Sequence, residues 1–265
     1  MVLGPSCGLT LADLGADVVK VEPAPGGDKT RQLPGSGSGF FGAFNRNKRS
    51  VSVNLKSPEG HKFATNLILE SDVLIENFGT GVMDRLGLGY KAIQKINPRL
   101  IYCALKGFLS GPYENRAALD EVVQMMGGLA YMTGPKGRPL RAGASVNDLV
   151  GALFGTIAIQ AALLERQRTG EGTFVRSGLF ESNMFLVANH MVQYCQTGVP
   201  ADPMPEREAS WAVYDVFQTA DDEKVFVGVV SDKQWVEFCG AFSLQDLLGN
   251  KELSTNVQRV ARREE

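Results

Sequence analysis

The first 180 residues switch repeatedly between two spacings of apolar positions. "GLTLADLG" groups its apolar residues as one helix face and closes at Gly15, and Asp17 to Glu22 then reads as a short buried strand. "RSVSVNL" alternates with period two, the mark of a half-buried strand. "SPEGHKFATNLILES" returns to the helical period, with Ser57 as N-cap and Pro58 at the first helical position. "DVLIEN" and "LIYCALKGF" are continuous apolar runs of strand length, and "GVMDRLGLGYKAIQKIN" between them is helical in parts. Strands alternating with helices in this way predict an α/β fold built on a doubly wound parallel sheet. In that architecture ligands bind beyond the carboxyl ends of the strands.

Two stretches depart from the alternation. "GGDKTRQLPGSGSGFFGAFNRNK" is rich in Gly, Ser, Pro and Asn and reads as loop throughout. Its "GSGSGF" matches a dinucleotide-binding glycine loop only weakly, because such a loop follows the first strand directly and opens a helix. From Leu119 the pattern becomes one of helices rich in small residues. "LDEVVQMMGGLAYMTG" comes first, then "DLVGALFGTIAIQAALLERQRTG", apolar on nearly all faces in its first half and closed by Arg166, Arg168 and Gly170. "WAVYDVFQTADDEKVFVGVV" reads as a β-hairpin turning at Ala220 to Glu223. A Pro-rich, charged stretch from Gly198 to Glu208 marks a domain change, which gives a large domain over 1–200 and the start of a smaller α+β domain over 201–265.

Composition removes several function classes. The chain of 265 residues is 44% hydrophobic and 21% charged, ordinary for a globular protein, and its net charge of −2 offers no footprint for nucleic acid or an anionic membrane. Cys7, Cys103, Cys195 and Cys239 show no CxxC spacing and read as reduced residues of a cytoplasmic protein. His61 and His190 leave little from which to build a histidine metal site or a Ser/His/Asp triad, so no metal is expected. No apolar run is expected to reach membrane-spanning length, and no basic segment precedes an apolar core at the start.

Three places hold candidate chemistry. In "DVLIENFGTG", Asn77 and Phe78 fall just past a strand, with Asp84 and Arg85 on the helix that follows. That set suits a purine and a phosphate, or it is a turn beside a solvated arginine. Arg46, Lys48, Arg49 and Lys56 crowd into eleven positions, as a phosphate site or a solvated face. In "RAGASVNDLVGALFG", Asp148 precedes a long apolar helix. It is either that helix's cap or a nucleophile kept ionised by the helix dipole.

Seven segments, in order, resemble one family, the class III CoA-transferases, which include formyl-CoA transferase-like enzymes and the α-methylacyl-CoA racemases. They are "LGPSCGLTLADLGADVVKVEPAPGGDKTR", "NRNKRSVSVNLKSPEG", "DVLIENFGTGVMDRLGLGY", "NPRLIYCALKGFLSGPY", "GGLAYMTG", "PLRAGASVNDLVGALFG" and "AALLERQRTGEGTFV". The resemblance implies a Rossmann-like large domain and an interlocked homodimer. It also implies CoA transfer between carboxylic acids through an aspartyl-CoA thioester, with acyl-CoA and carboxylate substrates, coenzyme A as substrate and no prosthetic group. The matching positions make Asp148 the nucleophile, Asp120 a second catalytic carboxylate beside it or else a helix-start carboxylate without chemistry, and Lys56, Asn77, Phe78, Arg85 and Leu86 the CoA contacts. The racemases carry a histidine immediately before the position of Asp120, where this chain has Leu119, so transfer is favoured over isomerisation. The segments around Asp120 and Asp148 look most like members acting on short dicarboxylic acyl-CoAs such as succinyl- or mesaconyl-CoA, with Arg138 or Arg141 to meet a free carboxylate. Members also carry a strand before the position of Gly4 and continue past Glu265. The chain therefore reads as shortened at both ends, with an inactive CoA-binding remnant as the alternative.

Overall fold

The computed structural model describes residues 1–207 and 209–264, which form two compact units, Met1–Pro205 and Glu206–Glu265. Glu208, the last residue of the expected junction, lies outside the described residues. The first unit opens with α1 (Leu3–Asp13), β1 (Val19–Pro23), α2 (Phe40–Asn45), β2 (Arg49–Val53) and α3 (Pro58–Leu69). It continues through β3 (Val73–Glu76), α4 (Val82–Arg85), α5 (Tyr90–Ile96), β4 (Ile101–Lys106), α6 (Asp120–Met126) and α7 (Leu129–Thr133). The long α8 (Val146–Thr169), β5 (Phe174–Gly178), α9 (Leu179–Leu186) and α10 (Ala188–Thr197) complete it. Ser57 caps α3 by accepting from the Gly60 N–H, with Pro58 in the first turn, as the sequence predicts.

All strand pairing in this unit is parallel, in two ladders. β1 pairs with β2, and β4 lies between β3 and β5, with Ile75 opposite Cys103 and Cys103 opposite Val175. β4 explains the layering. Ile101, Cys103 and Leu105 face one core with Leu3, Cys7 and Ile159 of α1 and α8, while Tyr102 and Ala104 face a second core with Ala64, Ile68 and Ile93 of α3 and α5. A strand apolar on both faces needs helices on both sides, which is why its sequence shows a run and no alternation.

Two expectations need correction. The Gly-rich stretch after β1 is not loop throughout: it contains 3₁₀ turns at Lys29–Gln32 and Gly35–Gly37 and the helix α2. Aromatic packing holds this order, with the Arg31 guanidinium 3.7 Å from the Phe41 ring centroid and Asn45 buried. Second, α8, with 24 residues, is long and apolar enough by length and composition to cross a membrane. Here it packs on α1, β4, β5 and α9. Gly151 and Gly155 allow that approach, since a Cβ on them would stand 3.0 Å from Leu3 Cδ1 and 2.7 Å from Leu105 Cδ2. The helix stops at Gly170, whose left-handed φ of 78° suits a residue without Cβ.

The second unit holds the antiparallel hairpin β6 (Tyr214–Gln218) and β7 (Lys224–Gly228), joined across 219–223, the turn the sequence predicts. After it come α11 (Asp232–Ala241), α12 (Gln245–Gly249) and α13 (Asn256–Ala261). Trp235 and Cys239 of α11 pack with Val229 as its core.

Candidate active site

Asp148 is not the cap of α8. The N-cap is Ser145, whose side chain makes no capping bond, and Asp148 sits in the first turn, three residues on. The cap comes from elsewhere in the chain. Asp120, 3% exposed, accepts through Oδ1 from the backbone N–H groups of Asn147 at 2.8 Å and Asp148 at 3.3 Å, the two donors an N-cap side chain ordinarily satisfies. This frees the Asp148 carboxylate, which stands near the backbone N–H of Leu3 in the first turn of α1, a neighbour that lowers its pKa.

The Asp148 carboxylate thus lies at the N-termini of two helices. Burial, followed by the neighbouring Asp120 carboxylate, pushes its pKa up to about 6, against the opposing Leu3 N–H. It is ionised at neutral pH, yet more basic than a solvated aspartate.

The strand-end residues stand beside the same helix terminus. Asn77 packs on α1 so closely that a Cβ on Gly4 would come within 2.8 Å of its Oδ1. Phe78 follows, 47% exposed, on a turn anchored by a buried ion pair. Glu76 Oε1 meets Lys106 Nζ at 2.6 Å, Glu76 Oε2 accepts the Phe78 N–H at 2.9 Å, and Lys106 Nζ donates to the Phe78 carbonyl at 2.8 Å. Lys106 and Glu76 were not expected from the sequence. The signal was a charged residue closing each of two apolar strands.

The remaining predicted contacts gather around the second core. Leu86 and Leu55 both pack against it, which places Arg85 and Lys56 at the edge of one apolar cluster, and both charged side chains are exposed. The cationic cluster is mostly spent on structure. Arg46 pairs with Asp13 and Arg49 with Asp17, both at 2.5 Å, and Lys48 Nζ donates to the carbonyls of Pro5 at 2.7 Å and Phe44 at 2.8 Å. Burial lowers the Lys48 pKa to about 8. Among the described residues Lys56 alone of the four is exposed without an ion pair or side-chain hydrogen bond.

Arg141 lies on the loop ahead of α8, with its side chain 41% exposed. It pairs with Glu121 and approaches Asp120 Oδ2 to 3.9 Å, one carboxylate away from the Asp148 backbone. A cleft of about 470 Å³ opens where β3 and β4 end, walled by Glu76, Lys106, Tyr90, Tyr102 and Arg176, and Asp148 is not among its walls. Among the described residues no group of three or more His, Cys, Asp or Glu side chains is placed to hold a metal ion.

Comparison with known proteins identifies the family. A profile of CoA-transferase family III matches residues 1–265. The chain is 38% identical to an acyl-CoA transferase of Fusarium pseudograminearum and 35% identical to a succinate–glutarate CoA-transferase of Agrobacterium fabrum. All of this chain aligns in both cases, and it spans 61% and 69% of the length of those relatives. A solved CAIB/BAIF family protein of Brucella suis superposes with a TM-score of 0.84 at 36% identity, over 99% of this chain and 72% of that one.

Proposed function

The chain belongs to CoA-transferase family III, and from that premise we propose that it moves coenzyme A between carboxylic acids through a thioester formed on Asp148. The observation that carries this reading is the Asp148 carboxylate itself, half-buried where α1 and α8 begin, with its pKa near 6. A carboxylate in that range is charged at neutral pH and a better nucleophile than a solvated one.

The steps balance without oxidation or reduction. An Asp148 oxygen attacks the thioester carbonyl of the donor acyl-CoA, forming a mixed anhydride and expelling CoA thiolate. The thiolate attacks the aspartyl carbonyl carbon, leaving CoA on Asp148 as a thioester and releasing the donor acid as its carboxylate. An acceptor carboxylate then attacks that thioester, and the returning thiolate takes the acceptor's acyl group and restores Asp148. Each step exchanges one activated acyl bond for another. The positive ends of the α1 and α8 dipoles favour the negative charge that develops on the way.

Coenzyme A is held, in this reading, by Lys56 and Arg85 at phosphate oxygens and by Asn77, Phe78 and Leu86 along the adenine and pantetheine. The exposed ring of Phe78 and the open cations Lys56 and Arg85 support it. We read the two parallel ladders as halves of one Rossmann-like sheet, supported by α1, which packs against β3 and contacts Val18 and Lys48 beside the β1–β2 ladder. The acyl groups are short dicarboxylates such as succinyl, with Arg141 meeting the distal carboxylate, as the relative acting on succinate and glutarate suggests. The working form is a homodimer in the cytoplasm. The apolar stripe Leu153, Ile157 and Leu164, exposed along α8, supports a partner surface. Leu119 is 59% exposed and brings no base, so nothing favours α-proton transfer.

The test is intact-mass spectrometry after incubation with succinyl-CoA, followed by hydroxylamine or borohydride. An adduct that maps to Asp148 and is lost in Asp148→Ala supports the reading. A folded, CoA-binding protein that forms no adduct with any short acyl-CoA overturns it.

A further inference from the structure

Beneath Asp148 runs a chain of buried polar side chains that the proposed chemistry does not use. Gln124 is 0% exposed and lies one turn along α6 from Asp120. Its Nε2 donates to Asp120 Oδ2 at 2.5 Å, and its Oε1 accepts the Ala142 N–H at 2.7 Å. Asn147, also 0% exposed, accepts from Asn183 Nδ2 at 3.2 Å. The orientation of the Gln124 amide is decided by its partners: a backbone N–H can only donate, so the oxygen must face Ala142 and the nitrogen must face the carboxylate.

The consequence for Asp120 is specific. Every group directed at its carboxylate is a donor: Asn147 N–H and Asp148 N–H at Oδ1, Gln124 Nε2 at Oδ2, and the Arg141 guanidinium at 3.9 Å. Both oxygens are engaged and only 3% of the residue is exposed, so the Asp120 carboxylate is held against the start of α8. Resting on the reading of Asp148 as nucleophile, we infer that Gln124 is a positioning residue: its amide locks Asp120 onto the start of α8 and ties the 142–145 loop to it, and this clamp sets where the Asp148 carboxylate stands.

The clamp has a chemical mirror image, and that makes it testable. Asp120→Asn puts an amide NH₂ against the Gln124 NH₂, and Gln124→Glu puts a carboxylate against a carboxylate. Combined, the two substitutions exchange donor and acceptor across the contact while leaving acceptors for the α8 N–H groups and for Ala142. The experiment measures the rate of Asp148 acylation by succinyl-CoA, with CoA affinity by calorimetry and melting temperature as controls. Each single variant is expected to slow acylation by about tenfold to a hundredfold, the penalty for misplacing a reacting group, with CoA affinity held within about threefold. The double variant is expected to recover to within about threefold of wild type, as directly coupled partners do.

A double variant as slow as the slower single overturns the inference, because the carboxylate of Asp120 would then be needed for itself. If the single variants do not fold, Gln124→Met removes both hydrogen bonds without adding charge. Faster backbone amide exchange at Asn147 and Asp148 in that variant supports the clamp, and unchanged exchange overturns it. A wild type that never acylates Asp148 is a different failure: it removes the nucleophile reading, and this inference falls with it.

Discussion

Asp148 carries a charge that the fold makes costly. Its pKa is raised to about 6 by burial and by Asp120, so the folded chain holds the proton more tightly than the unfolded chain does. The stability cost is therefore fully present above pH 6 and relieved as pH falls towards the ordinary aspartate range. Asp148→Asn is expected to stabilise the protein at pH 7.5 by about 1–3 kcal/mol while abolishing acylation, and thermal melts should show the gain shrinking to nothing by about pH 4. For the same reason wild-type acylation is expected to fall tenfold per pH unit below about 6, read from single-turnover rates. Arg141 gives a second residue-scale test. Arg141→Gln is expected to raise KM about tenfold for a dicarboxylate and leave a monocarboxylate within twofold, one charge-assisted hydrogen bond being worth about 1.4 kcal/mol or more. Equal loss on both would remove Arg141 from acyl recognition.

At the scale of elements, side chains distant in sequence hold the helices and turns that carry these residues. Glu22, at the end of β1, is the example outside the site. It is 2% exposed, takes a bidentate pair from Arg31 at 2.9 Å, and accepts from Ser50 Oγ and the Asp28 N–H, each at 2.8 Å. The Arg31 guanidinium, ahead of the other partners, holds its pKa down at about 2. A depressed carboxylate stabilises fully above its unfolded pKa and loses that contribution as pH falls to the folded value. Glu22→Gln is expected to cost about 2–4 kcal/mol at pH 7, the scale set by lowering its pKa from 4.5 to about 2, with the difference from wild type closing between about pH 4 and 2. A cost independent of pH across that window would assign the loss to packing. The same logic explains why "GGDKTRQLPGSGSG" looked unstructured: its order depends on Glu22 and Phe41, which local composition does not reveal.

At the scale of the whole first unit, α8 is the axis. One side, with Gly151, Gly155 and Ile159, closes the core against α1 and the β3–β4–β5 sheet, while Leu153, Ile157 and Leu164 remain exposed at 49%, 58% and 66%. A monomer gains nothing from an apolar stripe in water, and a partner copy covering it gains about 25 cal/mol per Å². On the homodimer proposed above, Ile157→Glu is expected to lower the mass towards monomer in light scattering coupled to gel filtration, and a wild type that is already monomeric removes that proposal. An unchanged mass would place the partner surface elsewhere.

The parallel strand–helix alternation, the cap of α3, the hairpin of the second unit and the family were all legible in the sequence, because each rests on residues close together in the chain or on motifs in fixed order. Asp148 was legible as a helix-start carboxylate, but not its freedom from capping. That freedom depends on Asp120, twenty-eight residues away, bonding to the α8 backbone through an arrangement set by Gln124. Three of the four cations read as one patch were likewise dispersed by Asp13, Asp17 and the Pro5 carbonyl, partners that only folding brings near. Periodicity reports which face of an element is buried. Which buried polar group meets which is decided by tertiary contact, since a desolvated donor must find an acceptor wherever the fold supplies one.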